Sequence, residues 1–159
     1  ALRDFESGTV HSEVSTSHDA VSTITVNSSG TITDLNVGLV ITHTWVGDLA
    51  VTLTHVSTGT TVTMIDRPGT TVLPPPGSSV GDFGCSYNNV NATLNDEASV
   101  LVENLCRSTY PAIYGSVRPN HALSAFDGED LGGTWRLTVY DGATLDNGYL
   151  ESWSLHFTA

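Results

Sequence analysis

Leu35, Val37, Leu39 and Ile41 occupy every second position of one stretch, with Ile32 leading into it. A period of two puts these side chains on one face of an extended strand, whereas a helix would scatter them around its axis. The run ends in His43-Thr44-Trp45-Val46-Gly47-Asp48-Leu49, after which Val51 and Leu53 resume the alternation. Near the end of the chain a similar stretch, Gly132-Gly133-Thr134-Trp135-Arg136-Leu137-Thr138-Val139-Tyr140-Asp141, again couples a strand pattern to an aspartate where the chain turns. Such a carboxylate either ties down its own loop or holds a cation.

Other segments repeat the pattern. Val21 to Val26 alternates and breaks at Asn27-Ser28-Ser29-Gly30; Leu49 to His55 and Thr60 to Ile65 flank Ser57-Thr58-Gly59 as a hairpin; Leu150, Trp153, Leu155 and Phe157 mark a last strand. Threonine suits a pleated surface, and the abundant glycine and asparagine suit turns. Short strands with no helical segment between them predict an all-β fold, an antiparallel β-sandwich of jelly-roll-like form. Between Arg67-Pro68-Gly69 and about Asn95 the pattern is lost, because Pro74-Pro75-Pro76 lacks ladder donors. Asp96 to Glu103 reads as a short strand or one helical turn, and Tyr110 to Pro119 as a loop. The 159 residues suffice for one core. Residues 1–17 read as an N-terminal edge or linker and 18–159 as a single domain.

The five basic residues are all arginine, and the formal charge is −12. A phosphate backbone would be repelled, so nucleic acid and anionic membrane surfaces are excluded as partners, while Ca²⁺ would be attracted. No apolar run is long enough to span a bilayer, and Ala1-Leu2-Arg3-Asp4 reads as a processed edge. Cys85 and Cys106 show no metal-type spacing. They form either a disulfide or two buried thiols; the disulfide is the simpler reading and implies an oxidising compartment, with the protein secreted.

In order along the chain, the strand Ile32 to Thr42, the His43-to-Leu49 run, the Gly59-Thr60 hairpin, Phe126-Asp127-Gly128-Glu129, Gly133-Thr134-Trp135-Arg136-Leu137, Asp141 and Gly148-Tyr149-Leu150-Glu151-Ser152-Trp153-Ser154-Leu155 resemble the P domain (Homo B domain) of kexin- and furin-like subtilisin-type proteases. The segment from Cys85 through Asn95-Asp96-Glu97-Ala98 to Cys106 is similar to the bacterial branch of that family. The resemblance implies a jelly-roll sandwich without catalysis of its own, C-terminal to a subtilisin-like or metalloprotease catalytic domain in cis. It also implies a role in the stability, folding or substrate engagement of that protease.

Asp48, Asp96, Glu97 and Asp82 are the candidate calcium ligands, since Ca²⁺ needs six to eight oxygens and several carboxylates gathered from loops. Asp48 meeting Asp96 and Glu97 would make the cage; Asp34 is a weaker candidate, and Asp127, Glu129 and Asp130 could form a second acidic loop. Asp141 and Asp146 are expected to cap the final turn. Gly77-Ser78-Ser79-Val80-Gly81 fits the nucleophile-elbow pattern but lacks the strand and helix that the elbow needs, so a loop is expected. The six histidines show no zinc spacing; His43 and His55 are expected to be ordinary strand-end residues. Trp135 and Trp153 lie in phase with the core, while Trp45, Tyr110 and Tyr114 form a candidate contact surface. Two functions are thus in view: a monomeric protease accessory domain that docks on its catalytic domain or engages protein substrate, and a free-standing jelly roll that binds carbohydrate or matrix protein. A hydrolase would require a histidine and an acid within hydrogen-bonding reach of the Ser79 hydroxyl.

Overall fold

A computed structural model describes residues 1–69 and 84–159. Two sheets face each other across one apolar cluster. The larger has the order β1 (Leu2–Glu6), β10 (Gly148–Thr158), β4 (Asp34–His43), β7 (Val90–Leu94), β8 (Ile113–Val117), with β2 (Ser12–Val14) also on β10. The smaller has the order β3 (Ala20–Val26), β9 (Gly133–Asp141), β5 (Leu49–His55), β6 (Thr60–Asp66). The fold is the expected all-β sandwich.

Burial follows the sequence period. Leu35, Val37, Leu39 and Ile41 are all buried on β4, and Trp135, Leu137 and Val139 on β9. The phase break between Leu150 and Trp153 is a β-bulge: the register with β4 shifts between Leu150 and Ser152, returning Trp153, Leu155 and Phe157 to the core side. The indole of Trp135 joins the two sheets, 5.2 Å from the Phe157 ring and edge-on to Phe126 at 5.0 Å.

Two parts depart from the sequence reading. Residues 1–17, expected as an edge or linker, contribute β1 and β2 to the larger sheet, and the chain ends meet there: the Ala1 ammonium donates to the Ala159 carbonyl at 2.8 Å. The stretch from Tyr110 to Pro119, expected as a loop, contains β8, which runs parallel to β7, the one parallel pair among the described strands. Of the two readings of Asp96 to Glu103 the helical turn is the one found, as a 3₁₀ turn at Val102–Asn104 preceded by a single bridge from Leu101 to Arg118. Asp82 and the Gly77 to Gly81 motif with Ser79 lie outside the described residues.

Candidate functional site

The two aspartate-ended strands converge. β4 delivers His43 and β9 delivers Asp141 to the same end of the sandwich, and His43 Nε2 lies 2.8 Å from Asp141 Oδ2 with both side chains fully buried. The Trp45 backbone N–H donates to His43 Nδ1 at 3.0 Å. That nitrogen must therefore be unprotonated, and Nε2–H is the donor to Asp141. The second Asp141 oxygen accepts the Ala143 N–H at 3.1 Å, so Asp141 caps its turn as expected and also anchors a histidine from another strand.

Asp48 joins them from the 3₁₀ turn Val46–Asp48 between β4 and β5. Burial, followed by the carboxylates of Asp141 and Asp146, pushes its pKa up to about 7 against the opposing pull of Arg67. Gly47 lets this turn press on the cysteine segment: its N–H donates to the Cys85 carbonyl at 2.8 Å, and a Cβ would lie 2.3 Å from the Cys85 nitrogen. Cys85 and Cys106 are bonded, as the disulfide reading expects, closing a 21-residue separation. By loop entropy such a closure is worth roughly 3 kcal/mol. A further buried carboxylate, Glu103, sits on the 3₁₀ turn Val102–Asn104 beside the end of β6. Its Oε1 accepts the Asp66 N–H at 2.9 Å, while Oε2 is buried without a partner. Burial, followed by the Asp66 carboxylate, lifts its pKa to about 7 despite that hydrogen bond.

These shifts set a pH dependence. Asp48 and Glu103 titrate near 7 when folded and at ordinary values of 3.8 and 4.5 otherwise. The folded state then holds protons that the unfolded chain has released, and stability from both groups is complete at acid pH and falls as pH rises toward 7. The melting temperature should drop between about pH 4 and about pH 7 and level off above that. Glu103→Gln keeps an acceptor for the Asp66 N–H and removes the charge, so it should flatten that slope and gain about 1–2 kcal/mol at about pH 8. Parallel slopes for the two proteins in melting curves across that range would refute this.

The expected cage of Asp48 with Asp96 and Glu97 does not form. Asp48 follows the C-terminal end of β4, whereas Asp96 and Glu97 follow β7, whose Leu94 pairs with Val37 near the start of β4. At roughly 3.3 Å per residue the length of β4 holds the two groups about 30 Å apart. Asp96 instead accepts the Leu123 and Ser124 N–H groups, both at 2.8 Å, fixing the 3₁₀ turn Leu123–Phe126. Around it, partial desolvation and the carboxylates of Asp34 and Asp96 raise the pKa of both Glu97 and Asp127. The donors are hard oxygens suited to Ca²⁺. Among the described residues, no three His, Cys, Asp or Glu side chains close on a common point.

Glu129 serves another histidine. His55 Nε2 lies 2.9 Å from the Gly132 carbonyl and Nδ1 2.9 Å from Glu129, with the ring stacked at 4.0 Å on Trp135. Against partial desolvation, hydrogen bonds from Thr60, His55 and Thr58 hold Glu129 below the usual carboxylate range. His43 and His55 are thus buried organisers, which their positions at strand ends did not indicate. Trp45 is half-buried, Tyr110 is 72% exposed and Tyr114 55%, with Arg107 stacked 4.8 Å over Tyr114.

Residues 95–157 match the model of the family described as the proprotein convertase P-domain. Two solved structures share the fold over 99% of this chain. One is a serine protease of Aeromonas sobria, with TM-score 0.55 at 17% identity; the other is Aeromonas sobria serine protease in complex with the chaperone, with TM-score 0.53 at 14% identity. The chain spans 26% of the length of each. No curated protein matches.

Proposed function

We propose that the chain is a P domain of the proprotein convertase type, the family whose model matches residues 95–157, and that it is the accessory domain of a secreted bacterial serine protease, docking in cis on the catalytic domain and supporting its stability. A P domain is accessory to its protease and not the catalytic part of it. The observation that carries the reading is the family match over 95–157, a span that includes β8, β9 and β10 and the Asp141 end of the buried cluster. Export is supported by the disulfide, a bond that persists in oxidising compartments. No helix of the described residues is long and apolar enough to cross a membrane. Tyr110 and Tyr114 beside Arg107 offer the exposed aromatic and cationic groups that anchor protein interfaces. Trp135 and Trp153 are buried, so they supply no indole row for a sugar.

Calcium belongs to this reading as a cation drawn to the acidic loops around Asp34, Asp96, Glu97 and Asp127, whose carboxylates would have to close on it, since no three of them share a point among the described residues. The support is electrostatic: besides partial desolvation, the carboxylates of Asp34 and Asp96 raise the pKa of Glu97 and Asp127, and a divalent cation would relieve that repulsion. Calcium about a hundredfold above its Kd should stabilise the domain by about 2.7 kcal/mol, and a chelator should remove that gain. Melting curves that coincide with and without calcium would eliminate the metal. Docking is tested separately, by expressing the complete reading frame with and without residues 1–159. Loss of active, soluble protease on deletion supports the accessory role; equal yield and equal melting of the catalytic part would overturn it.

A further inference from the structure

The outer face of the larger sheet holds three side chains joined in series. Ser154 Oγ lies 2.8 Å from His156 Nε2, and His156 Nδ1 lies 2.8 Å from Asp4 Oδ1. An ionised carboxylate only accepts, so Nδ1 carries the ring proton, Nε2 is the acceptor, and the Ser154 hydroxyl donates to it. A base on the hydroxyl with a carboxylate behind the base is the connectivity that makes serine a nucleophile. The buried His43 offers no such base, because its Nδ1 accepts the Trp45 N–H and its ring is closed to solvent.

Register assembles the series. Asp4 on β1 is directly opposite His156 on β10, and Ser154 precedes His156 by two positions, so all three share a face. Across the other ladder Ser154 faces Gly38, where a Cβ would lie 2.4 Å from Oγ. The missing side chain leaves open ground beside the hydroxyl. A groove of about 240 Å³ occupies it, lined by Glu6, Gly38, Asn91, Thr93, Ser154 and His156 among others. Ser154 is only 9% exposed and meets solvent in that groove. Asn36, opposite His156, has its amide oxygen buried without a partner on the same face.

We propose that Ser154 is an acyl-accepting nucleophile toward small activated carboxylic esters, with His156 as its base and Asp4 as the positioning residue. Ser154 Oγ bonds to the ester carbonyl carbon while its proton passes to His156 Nε2. The bond from that carbon to the leaving oxygen then breaks, the alcohol or phenol departs with the proton, and an acyl-serine remains. Water attacks the acyl carbon, gives a proton to Nε2 and releases the carboxylic acid; Oγ recovers its proton. The groove is below the usual range for ligand pockets, which limits the acyl group to a few carbons. The Trp153 N–H beside Ser154 donates to Ser7 Oγ at 2.9 Å and is not free for a developing oxyanion; the acyl-serine is a less activated ester than the substrate, so it hydrolyses more slowly than it forms. This chemistry asks nothing of a protease domain and is independent of the docking reading.

The test is 4-nitrophenyl acetate at near-neutral pH, with nitrophenolate release followed by absorbance and the acetyl group located by peptide mass mapping. One acetyl on Ser154 is expected, with nitrophenolate released in a burst approaching one equivalent per chain. Ser154→Ala and His156→Gln should each lower the burst rate by about a hundredfold. Asp4→Asn should slow the burst and move its pH midpoint downward, because the imidazolium loses its carboxylate; a merely structural Asp4 would leave the midpoint in place. Labelling of the unsubstituted protein by an organophosphonate fluoride, mapped in the same way, reads Ser154 without any variant. Acetyl or phosphonyl groups found only on other residues, or an unchanged burst in Ser154→Ala, would overturn the proposal.

Discussion

Replacing His43 by alanine should destabilise the domain by about 3–5 kcal/mol, the cost of leaving a buried charge without its partner. Asp141 is 1% exposed, and the imidazole N–H is the donor to its Oδ2. Its other oxygen would retain only the Ala143 N–H, and Asp48, 2% exposed, would remain as a like-charged neighbour. Without the imidazole, the buried Asp141 carboxylate keeps a single donor beside a second buried acid. Asp141→Asn should cost much less, because an amide oxygen still accepts the imidazole N–H and the repulsion on Asp48 is removed. Chemical denaturation of the three proteins at acid and neutral pH decides the matter. A cost below about 1 kcal/mol for His43→Ala would mean that the pair does not brace this end of the sandwich.

Trp135→Ala should be comparably severe, about 3–5 kcal/mol by loss of buried area and the cavity it leaves. The indole is fully buried, contacts Phe126 and Phe157 across the sandwich, and donates Nε1–H to the Leu131 carbonyl at 3.0 Å. It is also the floor on which His55 lies, so the alanine variant uncovers the His55–Glu129 pair. Trp135→Phe separates the contributions. It retains most of the packing and forfeits the indole donor, at about 1–3 kcal/mol for an unsatisfied carbonyl. Equal losses for Phe and Ala, measured by denaturant midpoint, would show that the hydrogen bond rather than the ring dominates.

Legibility of the fold followed the strength of its period. β4, β5, β6, β9 and β10 each bury one face, so their apolar residues recur at alternate positions, and even the β10 bulge shows as a broken phase. β1 buries little of either face and is written Leu-Arg-Asp-Phe-Glu, with no alternation to find. β7 and β8 are hidden among asparagine, glycine and proline, where turn chemistry masks a short ladder. The site was legible only by halves. The His43-to-Leu49 run and the Asp141 strand end stood out separately, but their meeting depends on β5 pairing with β9 so that Leu49 faces Asp141. Asp48 and the Asp96–Glu97 pair look like one cage in the sequence because it carries no information about which end of a strand a loop returns to. Asp4, Ser154 and His156 left no signal, since the first lies on an unrecognised strand and the others on alternate positions of a strand explained by its core face.

The junction of the first and last residues has an architectural consequence. Leu2 pairs with Thr158 beside the Ala1–Ala159 hydrogen bond, so a polypeptide entering the domain and one leaving it pass through a single point on its perimeter. Bridging that point needs only a few residues and little loop-closure entropy. The module could therefore be spliced into a surface turn of another protein, or its order rewritten around a new opening, without parting the sheets.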